Sequence, residues 1–163
     1  MGVAPLLDPG QLDFSSCFRA HYPRLVKALR VGGADPATAQ DLAQEAFARA
    51  LLHWGRISKG SNPPGYVYTA AFRALRRRRT PERGLLEAAG SIASHEDATA
   101  TELVAVQTIA AMPPKRRVCA VMCLMVGCST SEAAHALGIA ESTVRKHLEA
   151  AREDLENALR VAV

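Results

Sequence analysis

The residues best suited to chemistry lie near the C-terminal end of the chain, in a run of hydroxyl, basic and imidazole side chains. The run follows Gly138 and consists of Ser142, Thr143, Arg145, Lys146 and His147. Hydroxyl groups suit hydrogen bonds to phosphate oxygens, whereas Arg, Lys and His suit contacts with base edges or with the backbone. On the first turns of a helix, such side chains are typical of a helix that enters the major groove of DNA.

A second group of cations lies between residues 73 and 79. Arg73 and the four arginines at 76–79 follow the aromatic residues Tyr66, Tyr68 and Phe72. Cations beside aromatic rings suit phosphate contacts combined with base stacking on unpaired strands. A solvated basic helix end is the alternative interpretation, because cations near a helix C-terminus also interact favourably with the helix dipole.

The third group is an acidic and polar helix face in an otherwise basic part of the chain. Asp41, Gln44 and Glu45 are spaced i, i+3 and i+4, so they project from one side of a helix. Such a face suits docking of a basic protein surface. An ordinary solvated helix face is the alternative interpretation.

Cysteines form the last candidate group. Cys119 and Cys123 lie one helical turn apart, with Cys128 and His135 downstream, and such a set can hold zinc. The spacing matches no standard zinc motif, and the apolar neighbours favour core packing over a metal site or a redox role. The chain shows no nucleophile–base pair, phosphate loop or carboxylate dyad, so we expect no metal, no cofactor and no enzymatic activity.

The composition predicts that the candidate residues lie on helices. Of the 163 residues 48% are hydrophobic but only 5% aromatic, and Ala, Leu and Val predominate, which favours helices over β-sheets. Periodicity predicts a first helix over residues 12–31, in which Pro23 is expected to cause a kink or a division. The predicted fold class is therefore all-α.

Two more helices are predicted in the N-terminal half. Asp35 as N-cap and Pro36 at the first helical position start a helix that extends to about Ile57, with Leu51 on its inward side. A loop at residues 58–64 separates it from a third helix that continues to Arg79.

The C-terminal half has the pattern of a helix-turn-helix. Helices are predicted over residues 101–112 and 115–127, and Ser129 with Glu132 has the spacing of a capping box for the next helix. Gly138 then supplies a tight turn before a longer final helix. A short helix, a glycine turn and a second helix with basic residues at its start predict a DNA-binding motif.

The charge is divided unevenly along the chain, which predicts two modules and a linker. Residues 1–80 contain 12 Lys and Arg against 5 Asp and Glu, residues 81–105 contain 1 against 5, and residues 106–163 contain 7 against 6. We predict a flexible tail at 1–11, an N-terminal helical domain at 12–80, an acidic linker at 81–100 and a C-terminal helix-turn-helix domain at 101–163. Within the linker, a short helix is expected at 85–89.

Together these features resemble the extracytoplasmic-function sigma factors of bacteria, within the sigma-70 family. The resemblance consists of Asp-Leu-x-Gln-Glu-x-Phe at residues 41–47, a proline-rich loop, a helix that runs from aromatic residues to arginines, a linker and a helix-turn-helix. It covers nearly the whole chain, from about residue 13 to about residue 159, in the expected order.

The resemblance implies an alternative sigma factor that binds core RNA polymerase, directs it to promoters and helps to open the DNA. It implies docking of Asp41, Gln44 and Glu45 on the clamp helices of the β′ subunit. The minus-ten element would be bound by Asn62, Tyr66, Tyr68, Arg73, Arg76 and Arg77. The minus-thirty-five element would be bound by Ser142, Thr143, Arg145, Lys146 and His147, in a domain that also touches the β flap. An anti-sigma factor is a further candidate partner.

A helix-turn-helix regulator that binds duplex DNA as a dimer remains the alternative. In that case the N-terminal module would serve sensing or dimerisation. The N-terminus lacks the basic segment and apolar core of a signal peptide, and the apolar run at 118–128 is about half of the roughly 20 residues a membrane span needs. We therefore expect a cytoplasmic protein without membrane insertion and with reduced cysteines.

Overall fold

A computed structural model of the chain describes residues 13–78 and 98–162, and every regular element in those two ranges is helical. The first range contains α1 (Phe14–Val31), α2 (Pro36–Leu52), α3 (Trp54–Ile57) and α4 (Pro63–Arg77). The second contains α5 (Ala100–Ala110), α6 (Pro114–Ala120), a π-helical segment (Val121–Met125), α7 (Thr130–Leu137) and α8 (Glu141–Ala162). The all-α class with two helical domains is confirmed, whereas the short helix expected at 85–89 lies outside the described residues.

Helix α1 continues through its internal proline. Of the two outcomes expected at Pro23, division does not occur, since the helix is unbroken from Phe14 to Val31. Pro23 lies on the exposed side, whereas Leu25 and Leu29 on the inner side are completely buried. Burial of these side chains on the inner face offsets the backbone hydrogen bond that proline cannot donate.

Helix α2 begins where the sequence predicts and ends earlier. Asp35 accepts hydrogen bonds from the Thr38 amide at 2.9 Å and from the Thr38 hydroxyl at 2.6 Å, and these bonds lower the pKa of its carboxyl group. The predicted end near Ile57 was wrong. His53 leaves the helical conformation, with φ −119° and ψ 19°, so α3 forms a separate four-residue turn.

The predicted helix over residues 115–127 is divided in two by a change of hydrogen-bond register. After Ala120 the backbone widens, and the Val126 amide donates to the Val121 carbonyl five residues earlier. Gly127, with φ +86°, ends the segment. The prediction of one regular helix was wrong at this point because apolar periodicity does not report a local change of helical pitch.

The capping box predicted at the start of α7 is only half formed. Ser129 accepts a hydrogen bond from the Glu132 amide at 3.0 Å, but the Glu132 carboxylate extends towards α4, where it lies beside Gly65. A complete box is formed instead at the start of α5, where Thr99 and Glu102 exchange both bonds.

The two helical domains pack against each other, and we call this the closed arrangement. Helix α4 lies against α7, and α1 lies against the π-helical segment. Buried side chains from both domains form one continuous cluster, which includes Phe72 and Leu25 from the first domain and Met122 and Ala133 from the second. The closed arrangement therefore has an apolar core of its own.

Candidate nucleic-acid interface

The N-terminal turns of α8 present polar side chains opposite a buried apolar face. Val144, Leu148 and Ala151 are buried, and α8 packs on α5, α6 and α7. Of the five predicted residues, three are exposed, namely Ser142, Arg145 and Lys146. The other two, Thr143 and His147, are half-buried. The helix-turn-helix thus places all five on the first two turns of its second helix, where such motifs meet base edges.

Glu141 positions one of these side chains and was missed by the sequence analysis. Its Oε1 accepts hydrogen bonds from Arg145 Nη2 at 2.7 Å and from Thr130 Oγ1 at 2.7 Å. The carboxylate therefore connects the start of α7 to the start of α8 and holds the Arg145 guanidinium beside the helix. The i, i+4 spacing of Glu and Arg was the available signal.

The C-terminal part of α4 supplies a converging group of cations. Arg73, Arg76 and Arg77 line a cleft of about 550 Å³, and His135 of α7 completes its lining. Arg73 is half-buried, whereas Arg76 and Arg77 are exposed. The structure brings the three predicted arginines together and adds a residue from the other domain. We call this space the interdomain cleft.

The two tyrosines of α4 occupy opposite environments. Tyr66 is 46% exposed, so its ring is available to a ligand. Tyr68 is only 3% exposed, its hydroxyl lies 3.1 Å from Nδ1 of His21, and burial raises its pKa to about 12. The predicted DNA contact of Tyr68 is not supported by the closed arrangement, where its side chain is buried beside His21 of α1.

Asn62 has a structural role in the loop before α4. Its Oδ1 accepts a hydrogen bond from the Gly65 amide at 3.1 Å and so caps the helix. A β-carbon on Gly65 would lie 2.7 Å from Cγ of Asn62, so glycine is required for this close approach. Asn62 is exposed, but its Oδ1 already accepts the hydrogen bond that caps α4.

The acidic face of α2 is accessible but partly neutralised by neighbouring arginines. Asp41 and Gln44 are exposed, and Gln44 donates a hydrogen bond to the Tyr22 hydroxyl at 3.4 Å. Glu45 is half-buried and accepts from Arg49 at 2.7 Å, while Arg78 lies 3.7 Å from its second oxygen. The structure therefore brings the three predicted residues to one face, with Glu45 held in place by two cations.

Two exposed leucines extend this acidic face towards the end of α2. Leu51 is 56% exposed and Leu52 is 80% exposed. The prediction that Leu51 faces the core was wrong, because α2 ends at Leu52 and none of the described helices covers the Leu51 side chain. At i+7 from Gln44 and Glu45, the two leucines lie on the same side of α2 as those residues. These two side chains add exposed apolar area to the acidic face.

The cysteines behave as core residues. Cys17, Cys119 and Cys128 are buried, and Cys123 is half-buried. Burial raises the pKa of Cys119 to about 11 and that of Cys128 to about 12, which keeps these thiols protonated and unreactive at neutral pH. Within residues 13–78 and 98–162, no group of three or more His, Cys, Asp or Glu side chains is arranged to hold a metal ion.

No helix in the described part of the chain is both long and apolar enough to span a lipid bilayer.

Both domains match known protein families. The family models Sigma-70 region 2 and Sigma-70, region 4 match residues 17–83 and 103–155. The RNA polymerase sigma-E factor of Streptomyces coelicolor is 30% identical over 155 residues, which cover 91% of this chain and 86% of that protein. The sigma-E factor of Streptomyces avermitilis is 29% identical over 157 residues, which cover 90% and 87%.

A solved structure has a similar fold. It is the sigma factor RpoE in complex with the anti-sigma factor NepR from Bartonella quintana, with a TM-score of 0.65 and 21% sequence identity. The match covers 91% of this chain and 98% of that chain.

The fold, the order of the two matched regions and the relatives define a protein of transcription initiation. The chain belongs to the extracytoplasmic-function group of the sigma-70 family. It is an alternative sigma factor that directs RNA polymerase to promoters, and the alternative of a dimeric regulator is not favoured. Proteins of this family act in initiation as non-catalytic factors.

Proposed function

We propose that this sigma factor binds the minus-thirty-five element through the N-terminal face of α8 and the minus-ten element through the exposed part of α4. The observation that carries the proposal is that α8 has one polar face and one apolar face. Arg145 and Lys146 are exposed, while Val144 and Leu148 are buried. Such a helix presents donors to a groove without loss of its own packing.

At the minus-thirty-five element, we assign different tasks to different side chains of α8. Ser142 and Thr143 lie on the first turn and suit phosphate contacts, whereas Arg145, Lys146 and His147 suit base edges or backbone. Glu141 accepts from Arg145 and limits its rotamers, which reduces the entropy lost when the guanidinium binds a base.

At the minus-ten element, the arginines of α4 provide phosphate contacts and Tyr66 provides a ring for stacking. Arg73, Arg76 and Arg77 line one surface, and Tyr66 lies on the exposed side of the same helix. Charge and an exposed ring are the two features that bind unpaired strands without base pairing. Tyr68 is left out of this assignment because its side chain is buried.

Core polymerase binding is assigned to the acidic face of α2 with its two leucines. Asp41, Gln44 and Glu45 provide charge and hydrogen-bonding groups, and Leu51 and Leu52 provide apolar area that binding would remove from water. We propose that this surface docks on the clamp helices of the β′ subunit and that the C-terminal domain contacts the β flap.

The closed arrangement must open before both promoter elements are bound. A compact chain of this length has a radius of gyration of about 15 Å, whereas the positions after which the two elements are named lie about 25 base pairs apart, or about 85 Å along duplex DNA. One compact body cannot reach both elements, so the two domains must move apart. The proposed division into domains at 12–80 and 101–163, with a linker between them, suits this motion.

Two further assignments complete the proposal. The RpoE chain with the similar fold is bound to an anti-sigma factor, and this supports an anti-sigma factor as a regulator of the present protein. The protein itself acts as a cytoplasmic factor without enzymatic activity, and the chemistry of RNA synthesis belongs to the polymerase.

A pull-down with purified core polymerase tests the docking surface. The variant carries Asp41→Lys and Glu45→Lys, and the matched control carries Glu153→Lys and Glu156→Lys, which produce the same change of charge on exposed positions of α8. We expect the wild type and the control to retain core polymerase and the α2 variant to lose it. Equal retention by all three proteins would contradict the assigned docking role.

A further inference from the structure

The interdomain cleft collects several guanidinium groups around one defined cavity. Its lining comprises three guanidinium groups from α4 and the imidazole of His135 from α7. Among the residues that the structure describes, no carboxylate is part of this lining. Arg78, the next arginine along the chain, lies 3.7 Å from the Glu45 carboxylate. The three arginines that line the cleft have no ion-pair partner among the described residues.

Contact with the other domain holds one of these cations in place. The Arg76 guanidinium packs on Gly138, where a β-carbon would lie 2.7 Å from its Cζ and 2.8 Å from Nη2. The Arg76 guanidinium therefore contacts the turn of the helix-turn-helix, although the residue is exposed. A guanidinium that already rests on a protein surface loses less conformational entropy when it binds a ligand than a free one.

The chemistry of the cleft selects an anion with several oxygens. Converging like charges repel one another, and an anion between them relieves that repulsion. Guanidinium groups bind phosphate oxygens through paired hydrogen bonds, and imidazole adds a further donor. A volume of about 550 Å³ exceeds the needs of one phosphate group and lies in the range of small-molecule sites.

We propose that the interdomain cleft binds an oligophosphate, such as pyrophosphate or the phosphate chain of a nucleotide, and that the bound anion bridges α4 and α7. Because its ligands come from both domains, the anion stabilises the closed arrangement over the open one. The same arginines are assigned above to the promoter, so an oligophosphate and promoter DNA compete for them. Only this competition rests on the proposed function.

Calorimetric titration of the full-length chain with sodium pyrophosphate at constant ionic strength tests the site. The informative variant is His135→Ala, because His135 has no part in the proposed promoter contacts. The matched control is His53→Ala, an exposed histidine of the other domain that lies outside the cleft. We expect saturable binding to the wild type and to the control, with affinity weakened about tenfold in His135→Ala by loss of a charged hydrogen bond.

Two results would overturn the proposal. One is the absence of saturable pyrophosphate binding to the wild type. The other is unchanged affinity in His135→Ala, which would place the anion on the arginines of α4 alone. Small-angle scattering provides a second readout, since pyrophosphate must shift the wild type towards its compact form and leave His135→Ala less affected.

A second probe separates this site from the promoter-binding surface. A single-stranded oligonucleotide is titrated into polymerase holoenzyme formed with the wild type or with His135→Ala. We expect equal binding of the oligonucleotide by both, because His135 is not assigned to the promoter. Failure of oligonucleotide binding with retained pyrophosphate binding would refute the promoter assignment and leave the cleft proposal standing.

Discussion

The guanidinium of Arg76 in α4 lies directly against Gly138, the turn residue between α7 and α8. The contact depends on glycine in two ways. Gly138 has φ +65°, a left-handed conformation that side chains disfavour, and a β-carbon there would occupy the space of the guanidinium. A residue assigned to the minus-ten element thus packs on the motif assigned to the minus-thirty-five element, and each covers part of the other in the closed arrangement.

Substitution Gly138→Ala should lower the free energy of unfolding by more than the backbone strain alone. The left-handed conformation costs alanine about 1–2 kcal/mol, and displacement of Arg76 adds to this. In an Arg76→Ala background the displacement disappears, so Gly138→Ala should cost less there. Urea denaturation of the four proteins in this double-mutant cycle measures the difference. An identical cost in both backgrounds would show that the two residues do not touch in solution.

The sequence was sufficient to predict features that local signals encode. Asp35 and Pro36 marked the start of α2, and Gly138 marked the turn of the helix-turn-helix, because caps and left-handed turns depend on the residues at those positions. The sequence was insufficient where long-range packing decides. Tyr66 and Tyr68 are two residues apart and both are aromatic, yet long-range packing buries Tyr68 and leaves Tyr66 exposed.

The contacts between the two domains were also not predictable from local sequence signals. In the sequence His135 was grouped only with the cysteines, and Arg76 and Gly138 are separated by more than sixty residues, so no periodicity connects the cleft residues. The end of α2 was missed for a related reason, because His53 carries no strong stop signal. Leu51 was consequently assigned to the core of a longer helix, although the structure exposes it.

Removal of positive charge from α4 should reduce the salt dependence of promoter binding. The slope of log affinity against log salt concentration falls by about one unit for each phosphate that the protein no longer neutralises. We expect holoenzyme with Arg76→Ala and Arg77→Ala to show a slope lower by up to about two units. The control is Arg19→Ala, which removes an exposed arginine of α1 that has no assigned role. An unchanged slope would identify the arginines as a solvated helix end.

Arg145→Ala should relax base preference at the upstream element. If its guanidinium binds a base pair in bidentate fashion, its removal reduces discrimination by about 1–3 kcal/mol. Competition binding of holoenzyme to promoters with single base-pair changes measures this preference. Arg160→Ala, at the far end of α8, is the control and should retain the wild-type preference. Weaker binding by Arg145→Ala without any change in preference would reassign Arg145 to the phosphate backbone.

The two tyrosines of α4 should respond oppositely to substitution. Tyr68→Phe removes a part-buried hydrogen bond to His21 and should lower the free energy of unfolding by about 0.5–1.5 kcal/mol, with little effect on promoter opening. Tyr66→Ala should leave stability nearly unchanged and impair opening, because an exposed ring is removed. Thermal denaturation and permanganate footprinting of the opened strand test the pair. Impaired opening by a stably folded Tyr68→Phe would restore Tyr68 to the DNA-binding set.

The N-cap of α2 should make a pH-dependent contribution to stability. Hydrogen bonds from Thr38 lower the pKa of Asp35 below its ordinary value of 3.8. The carboxylate therefore stabilises the fold above that ordinary value, and its contribution is lost as pH falls through the lowered pKa. Asp35→Ala should cost about 1 kcal/mol at pH 7 and progressively less below about pH 4. Urea denaturation across this range tests the trend, and a constant difference down to about pH 2 would contradict it.

The most direct test of the account is run-off transcription by core polymerase with this chain as the only sigma factor, on a promoter identified by mapping its start sites. We expect specific transcripts with the wild type. We expect strongly reduced transcription with Asp41→Lys and Glu45→Lys, and with Arg76→Ala and Arg77→Ala, while the variant with Glu153→Lys and Glu156→Lys remains active. No specific transcript with the wild type, or full activity in the variants of α2 and α4, would contradict it.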